Sequence, residues 1–283
     1  MNPRRPVAAN FYQGGIAEQM DAYSALFVPK HGLPEKISAG IVPHAGWFFS
    51  GATAAKVFLT IKSKQTPKTF IIMGGVHVHG VRENSVYSEG SWATPAGEVK
   101  IDSSLARCLL TEMPDILSDN SLAHEYEHSI EVQVPMIKHL FPDAMIVPIA
   151  VPPGDSAVEL GTRVGKLLSE MNGGAVVIGS TDLTHYGDNY GFTPAGYGAA
   201  AQNWMKKNDE HIVGLALTMR PDKILTEAAL SHNACGPGAM AATVAAAKAM
   251  GAIEGTLLEY TTSYDVYPDG EFEMAVGYAG IVF

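Results

Sequence analysis

Cys235 sits in "SHNACGPGAM" (Ser231–Met240), immediately before Gly236-Pro237-Gly238 and an alanine-rich run that reads as a helix. A helix start favours negative charge, so a cysteine placed there is biased toward thiolate, a nucleophile or a metal ligand. The competing reading is a small apolar residue packed at the helix entry. Histidines recur in similar surroundings. "PHAGWFFSG" carries His44, "GGVHVHG" carries His77 and His79, "STDLTHYG" carries Asp182 and His185, and "HEYEHSIEVQVP" carries Glu127 and His128, with His124 and Glu125 just upstream. Imidazole nitrogens and a thiolate are good ligands for iron, copper or zinc. A carboxylate close to an imidazole orients it and raises its basicity, which suits Asp182 and His185 to proton transfer. His44, His77 and Cys235 come from separate segments, so no Cys-x-x-Cys type of spacing marks a site. A Cys-His hydrolase is the nucleophilic alternative.

The elements that must position these groups are short, β-branched runs. They are Ala39–Val42, Thr69–Met73, Ala144–Val151, Ala175–Gly179, Thr256–Thr262 and Glu273–Phe283. Near-continuous apolar runs of this length predict strands covered on both faces. Helical patterns fall between them at Gly51–Lys62, Ser103–Glu112, Ser129–Leu140, Asp155–Met171, Pro194–Thr218, Pro221–Ala229 and Pro237–Met250. Alternation of the two predicts an α/β fold with a largely parallel central sheet, in one domain. Ligands in such sheets gather beyond the carboxyl ends of the strands. His44, the His77/His79 pair and the Asp182/His185 pair each follow a predicted inner strand, which delivers all of them to one edge. The irregular stretch Gly80–Gly97 is expected to hold a short strand or hairpin and to wall a pocket. Trp47, Phe48 and Phe49 are expected to pack a helix onto the sheet, and Cys108, within a helical pattern, is expected in the core.

Composition narrows the function. Among 283 residues, 19 Lys and Arg face 29 Asp and Glu, for a net charge of −10. That balance lacks the basic footprint of a nucleic-acid binder. Two cysteines make no disulfide framework. No apolar run is long enough to span a membrane, and the basic N-terminal stretch is not followed by the apolar segment of a signal peptide. A reducing cytoplasm is the expected location. No GxSxG, P-loop or GxGxxG motif is present, which removes motif support for α/β-hydrolase and nucleotide-binding readings.

Six ordered segments resemble the Memo family, of the AmmeMemoRadiSam system protein B type. They are "RRPVAANFYQG", "VPHAGWFFSG", "GGVHVHG", "EHSIEVQVP", "STDLTHYG" and "NACGPGAM", and they are spread in order along nearly the full length of the chain. The family is related in fold to the class III extradiol dioxygenases of the protocatechuate 4,5-dioxygenase type. The resemblance implies a mostly parallel or mixed sheet flanked by helices, with a metal held by His44, His77 and Cys235. It places Asp182 and His185 beside the metal, with His185 as the acid/base histidine, and Glu127 and His128 in the same pocket. Phe11, Tyr12 and Trp47 are the aromatic neighbours. "GGVH" departs from the family's Gly-Pro-Ser/Asn-His loop, and His79 is an additional donor there. Cys235 also stands where the extradiol enzymes carry a carboxylate, and a thiolate is a softer, more electron-donating ligand.

Three functions are compatible with these residues. The first is an iron- or copper-dependent oxidoreductase of dioxygenase type acting on a small aromatic or phenolic substrate. The second is a module that uses the same pocket to bind a ligand, short peptide, phosphopeptide or metal ion without chemistry. The third is a zinc or cysteine hydrolase with Glu127 as general base.

Overall fold

The computed structural model describes residues 3–12, 14–171 and 174–283. In chain order the strands are β1 (Ala39–Val42), β2 (Thr69–Gly74), β3 (Asn84–Val86), β4 (Ser91–Thr94), β5 (Gly97–Lys100), β6 (Leu117–Asp119), β7 (Met145–Ala150), β8 (Ala175–Ser180), β9 (His185–Tyr186), β10 (Thr256–Thr262) and β11 (Ala275–Val282). The helices are α1 (Ile16–Ala25), α2 (Trp47–Lys64), α3 (Ser103–Glu112), α4 (Val134–Leu140), α5 (Ser156–Glu170), α6 (Gly198–Leu217), α7 (Pro221–Ser231), α8 (Pro237–Ala249) and the short α9 (Ser263–Val266).

One sheet runs in the order β10-β11-β1-β8-β2-β7-β3-β6, with β9 paired to β11. Its centre is parallel: β1 pairs with β8, β8 with β2, and β2 with β7. β10, β11 and β3 enter antiparallel to their inner neighbours, so the sheet as a whole is mixed. β4 and β5 form a separate antiparallel hairpin.

Both faces of the central strands are covered, which explains their unbroken apolar sequences. Side chains alternate along a strand. Phe70 and Ile72 face the layer of α1, α2 and α4, while Ile71 and Met73 face the layer containing α5 and α8. The second layer is tight. A Cβ on Gly161 of α5 would lie 1.9 Å from the Ala242 carbonyl oxygen of α8, and one on Gly165 would lie 2.4 Å from that of Ala246. The alanine-rich stretch of α8 is therefore buried throughout, its small side chains permitting the helices to approach.

Most predicted elements occur within a few residues of their expected bounds. The predicted helix Ser129–Leu140 is instead a 3-10 turn, Glu131–Gln133, followed by α4. Pro135 has no N–H to return to the preceding turn, so the regular helix starts beside it. α2 begins one turn earlier than its apolar pattern suggests, directly after Gly46. Gly80–Gly97 contains β3, which joins the main sheet, and β4 of the hairpin. Phe48 and Phe49 are corrections: they are 67% and 37% exposed rather than packed on the sheet, and only Trp47 of the three is buried. Cys108 is another, being half-buried in α3 rather than in the core. Among the described residues no helix is long and apolar enough to cross a membrane.

Candidate metal centre

β1, β8 and β2 are adjacent and parallel, so their carboxyl ends open on the same edge. His44 follows β1, His77 follows β2, and Asp182 and His185 follow β8. The loop before α8 brings Cys235 to the same place. Cys235 Sγ lies 3.3 Å from His44 Nε2. Candidate ligand atoms of His44, His77 and Cys235 all lie within 4.8 Å of one another. These three residues, far apart in the chain, thus converge at one place in the fold.

Each imidazole is held by its other nitrogen. His44 Nδ1 lies 3.0 Å from Ser180 Oγ. The Ser180 hydroxyl donates to the Ser129 carbonyl at 2.7 Å and receives the Gln133 amide at 3.2 Å. With its single proton committed, Ser180 accepts from His44, which assigns the proton to Nδ1 and leaves the Nε2 lone pair facing sulfur. His77 Nδ1 lies 3.0 Å from Glu127 Oε1, and a carboxylate only accepts, so His77 Nε2 is likewise turned inward. Orienting partners of this kind accompany metal-binding histidines. The backbone is fixed in the same way: His44 N–H donates to Asp182 Oδ1 at 2.7 Å, and His77 N–H donates to Glu127 Oε2 at 2.5 Å.

The electrostatics fit a cation. Burial raises the Cys235 thiol, but His44 and then His77 outweigh it and hold it down at about 6. The Asp182 N–H, 3.3 Å from Sγ, adds a donor to the thiolate. Burial lowers His77, yet Cys235 and Glu127 overcome this and raise it to about 10. Burial lowers His44, with Cys235 opposing. His44 Nε2 faces Cys235 Sγ at 3.3 Å, a gap that a shared proton or a metal ion can bridge. Two imidazole nitrogens and a sulfur meeting this way fit a mononuclear iron, copper or zinc site.

Glu127 and His128 form a second group with His77, again within 4.8 Å. Burial raises Glu127, but His77 and the backbone N–H groups of His77 and Ser129 hold it down at about 2. Its oxygens already receive His77 Nδ1 and the N–H groups of His77, His128 and Ser129. Those engagements make Glu127 the support of His77. His128 stands 5.4 Å from the His44 ring and 4.8 Å from the His77 ring, and Phe11 meets its edge at 5.2 Å.

His185 is held differently from the expectation. Its Nδ1 pairs with the Leu183 carbonyl at 3.0 Å, not with Asp182, whose carboxylate is occupied by the His44 backbone. A carbonyl only accepts, so His185 carries its proton on Nδ1 and offers Nε2 as a base. Tyr190 covers one side of the ring, with centroids 4.9 Å apart. Burial raises Asp182, and the nearby His185 opposes this.

The remaining candidates separate. Tyr12 and Trp47 are each 1% exposed and support the site from behind. Tyr12 donates to Glu131 at 2.6 Å and Trp47 to the Val132 carbonyl at 3.1 Å. His79 is exposed and joins neither group of converging ligand atoms. His124 is fully buried and donates from Nε2 to the Ser85 carbonyl at 2.9 Å, a structural role. Sequence reasoning missed Ser180, Gln133 and Ser129. Ser180 directly precedes "TDLTH" and was open to suspicion, whereas Gln133 looks like any polar residue of a helix. A groove of about 740 Å³, lined in part by Leu33, Leu168, Met250 and Phe283, lies at the opposite end of the strands and contains none of these groups.

An α/β sheet with His, His and Cys at its carboxyl edge defines a class, and sequence comparison supplies the family. A model of the family described as Memo-like protein matches residues 4–282. A MEMO1 family protein of Thermococcus onnurineus is 37% identical over 98% of this chain and 97% of its own length. One from Pyrococcus furiosus is 37% identical over 99% of this chain and 98% of its own. The chain belongs to the Memo family. A crystal structure of an uncharacterised protein from Escherichia coli K12 has the same fold, with a TM-score of 0.52 at 13% identity, covering 86% of this chain and 99% of that one.

Proposed function

We propose that the protein is a metal-dependent oxidoreductase that holds one iron or copper ion through His44 Nε2, His77 Nε2 and Cys235 Sγ, and that acts on a small phenolic substrate. One observation carries this reading: Cys235 Sγ stands 3.3 Å from His44 Nε2, while the Nδ1 atoms of His44 and His77 are engaged by Ser180 and Glu127, which leaves both Nε2 atoms free to face the sulfur. When bound, the metal supplies Lewis acidity and redox capacity. The chain supplies the rest. Ser180 and Glu127 fix the rings, Phe11 and Tyr190 offer aromatic walls, and His185 Nε2 accepts the phenolic proton. Anaerobic protein loaded with Fe(II) is expected to consume oxygen with a member of a phenol and catechol panel. His185→Ala is expected to suppress turnover and keep its metal. Loaded protein that stays inert across the panel contradicts the reading.

A second reading has one observation in its favour. Phe48, Tyr126 and Tyr267 are 67%, 72% and 59% exposed, and Phe48 and Tyr267 lie 6.1 Å apart just beyond the His44 loop. Such rings suit capture of a ligand or short peptide without chemistry. Calorimetric binding that survives removal of metal supports this alternative over the first.

A further inference from the structure

α6 lies outside the metal centre, yet two of its residues bind the loops that build it. Asp209 is fully buried. Its Oδ1 receives the Thr184 N–H at 2.9 Å and the Thr184 hydroxyl at 2.5 Å, and its Oδ2 receives the Tyr260 hydroxyl at 2.8 Å. Asn208, beside it, donates from Nδ2 to Thr184 Oγ1 at 3.0 Å and to the Ser231 carbonyl at 2.9 Å. The Asn208 carbonyl receives the Asn233 side chain at 2.8 Å. Thr184 precedes His185, and Asn233 lies two residues before Cys235. Asn208 and Asp209 therefore grip both segments at once. β11 allows the close approach: a Cβ on Gly277 would lie 2.1 Å from Asp209 Oδ2. Gly277 also exchanges backbone hydrogen bonds with Leu183 and Thr184, at 2.8 and 3.0 Å.

We infer that Asn208 and Asp209 are a positioning pair, which holds the Leu183–His185 turn and the Ser231–Cys235 segment in one register so that His185 keeps its Nδ1–H tautomer and Cys235 its place opposite His44. The inference rests on the metal-centre reading only for its Cys235 half. The network is buried and its groups are paired with one another, so loss of a member leaves its neighbours unpaired where water cannot replace it.

The test uses the full chain in two arms. Long-range nitrogen-proton NMR of the imidazoles, at a pH where His185 is neutral, reads its tautomer. Absorption of the Co(II)-loaded protein reads the thiolate-to-metal band of Cys235. Wild type is expected to show His185 as the Nδ1–H form. Thr184→Val removes one hydroxyl and is expected to give mixed tautomers. Asn208→Ala is expected to shift or weaken the cobalt-thiolate band. Asp209→Asn, which keeps an acceptor at Oδ1, is expected to stay near wild type on both readouts. Asp209→Ala is the strongest variant, and Thr184→Val decides the matter if it does not fold. Folded Thr184→Val and Asn208→Ala proteins with wild-type tautomer and band overturn the inference, as does a wild-type His185 lacking the Nδ1–H form. Wild type that binds no cobalt counts against the metal centre, while the tautomer arm still decides the positioning of His185.

Discussion

Cys235 Sγ and His44 Nε2 stand 3.3 Å apart although 191 positions separate them in the chain. Parallel strands place the carboxyl end of β1 beside that of β8, and the loop ahead of α8 is stitched to the turn after β8. Cys235 N–H donates to the Asp182 carbonyl at 3.2 Å, and Gly236 N–H donates to Thr181 Oγ1 at 2.9 Å. Sheet topology and two local hydrogen bonds thus bring sulfur to nitrogen.

The orienting residues give the first expectation. Ser180→Ala removes the acceptor of His44 Nδ1 and frees the ring to change tautomer. Metal affinity is expected to fall about 10–100-fold, the usual effect of losing such a partner. Competition against a chelator measures it, and unchanged affinity contradicts the assigned proton position.

His124 sets a pH dependence of stability. Burial, first among the causes, lowers it to about 4 against an ordinary 6.5. The unfolded chain therefore binds the proton more readily between those values, and stability falls as pH drops from about 6.5 toward 4, by up to about 3 kcal/mol. His124→Gln keeps a donor for the Ser85 carbonyl without the titration. Urea midpoints are expected to fall more steeply with acid in wild type than in the variant; parallel curves would refute the assignment.

Arg4 provides a test of the N-terminal segment. Its guanidinium lies 4.1 Å from the Trp92 ring centroid, pairs with buried Glu131 at 2.8 Å, and donates to the carbonyls of His124 at 2.8 Å and Glu127 at 2.7 Å. Arg4→Met strands the Glu131 charge, and a loss of about 3–5 kcal/mol is expected from denaturant titration. A loss under about 1 kcal/mol would show that Tyr12 and the N–H groups of Val7 and Ala8 suffice for Glu131.

Helix packing is tested at Gly161. A methyl group there meets the Ala242 backbone oxygen at 1.9 Å, which only movement of α5 or α8 relieves. Gly161→Ala is expected to cost at least about 1–3 kcal/mol, the range for overpacking. A neutral thermal midpoint rules out the close crossing.

The sequence made the central strands legible because both faces are buried, and their apolar runs have no polar interruption. His44, His77 and Asp182/His185 were legible for the same reason, each following a recognisable strand. β6 and β9 were not: two or three residues carry no periodicity. α1 was hidden by its mixed composition, "IAEQMDAYSA", with Ile16 and Met20 its buried residues. The partner of His185 was misassigned, since nearness of Asp182 in sequence says nothing about which backbone group fills its carboxylate. Ser180, Gln133 and Asp209 act through tertiary hydrogen bonds that leave no local pattern.

X-ray absorption of anaerobically metal-loaded protein tests the proposed centre most directly. The account predicts one sulfur and two imidazole ligands to a single ion, with the sulfur lost in Cys235→Ser and an imidazole lost in His44→Ala. A loaded ion without sulfur coordination, or metal content unchanged when Cys235, His44 and His77 are all replaced, would contradict it.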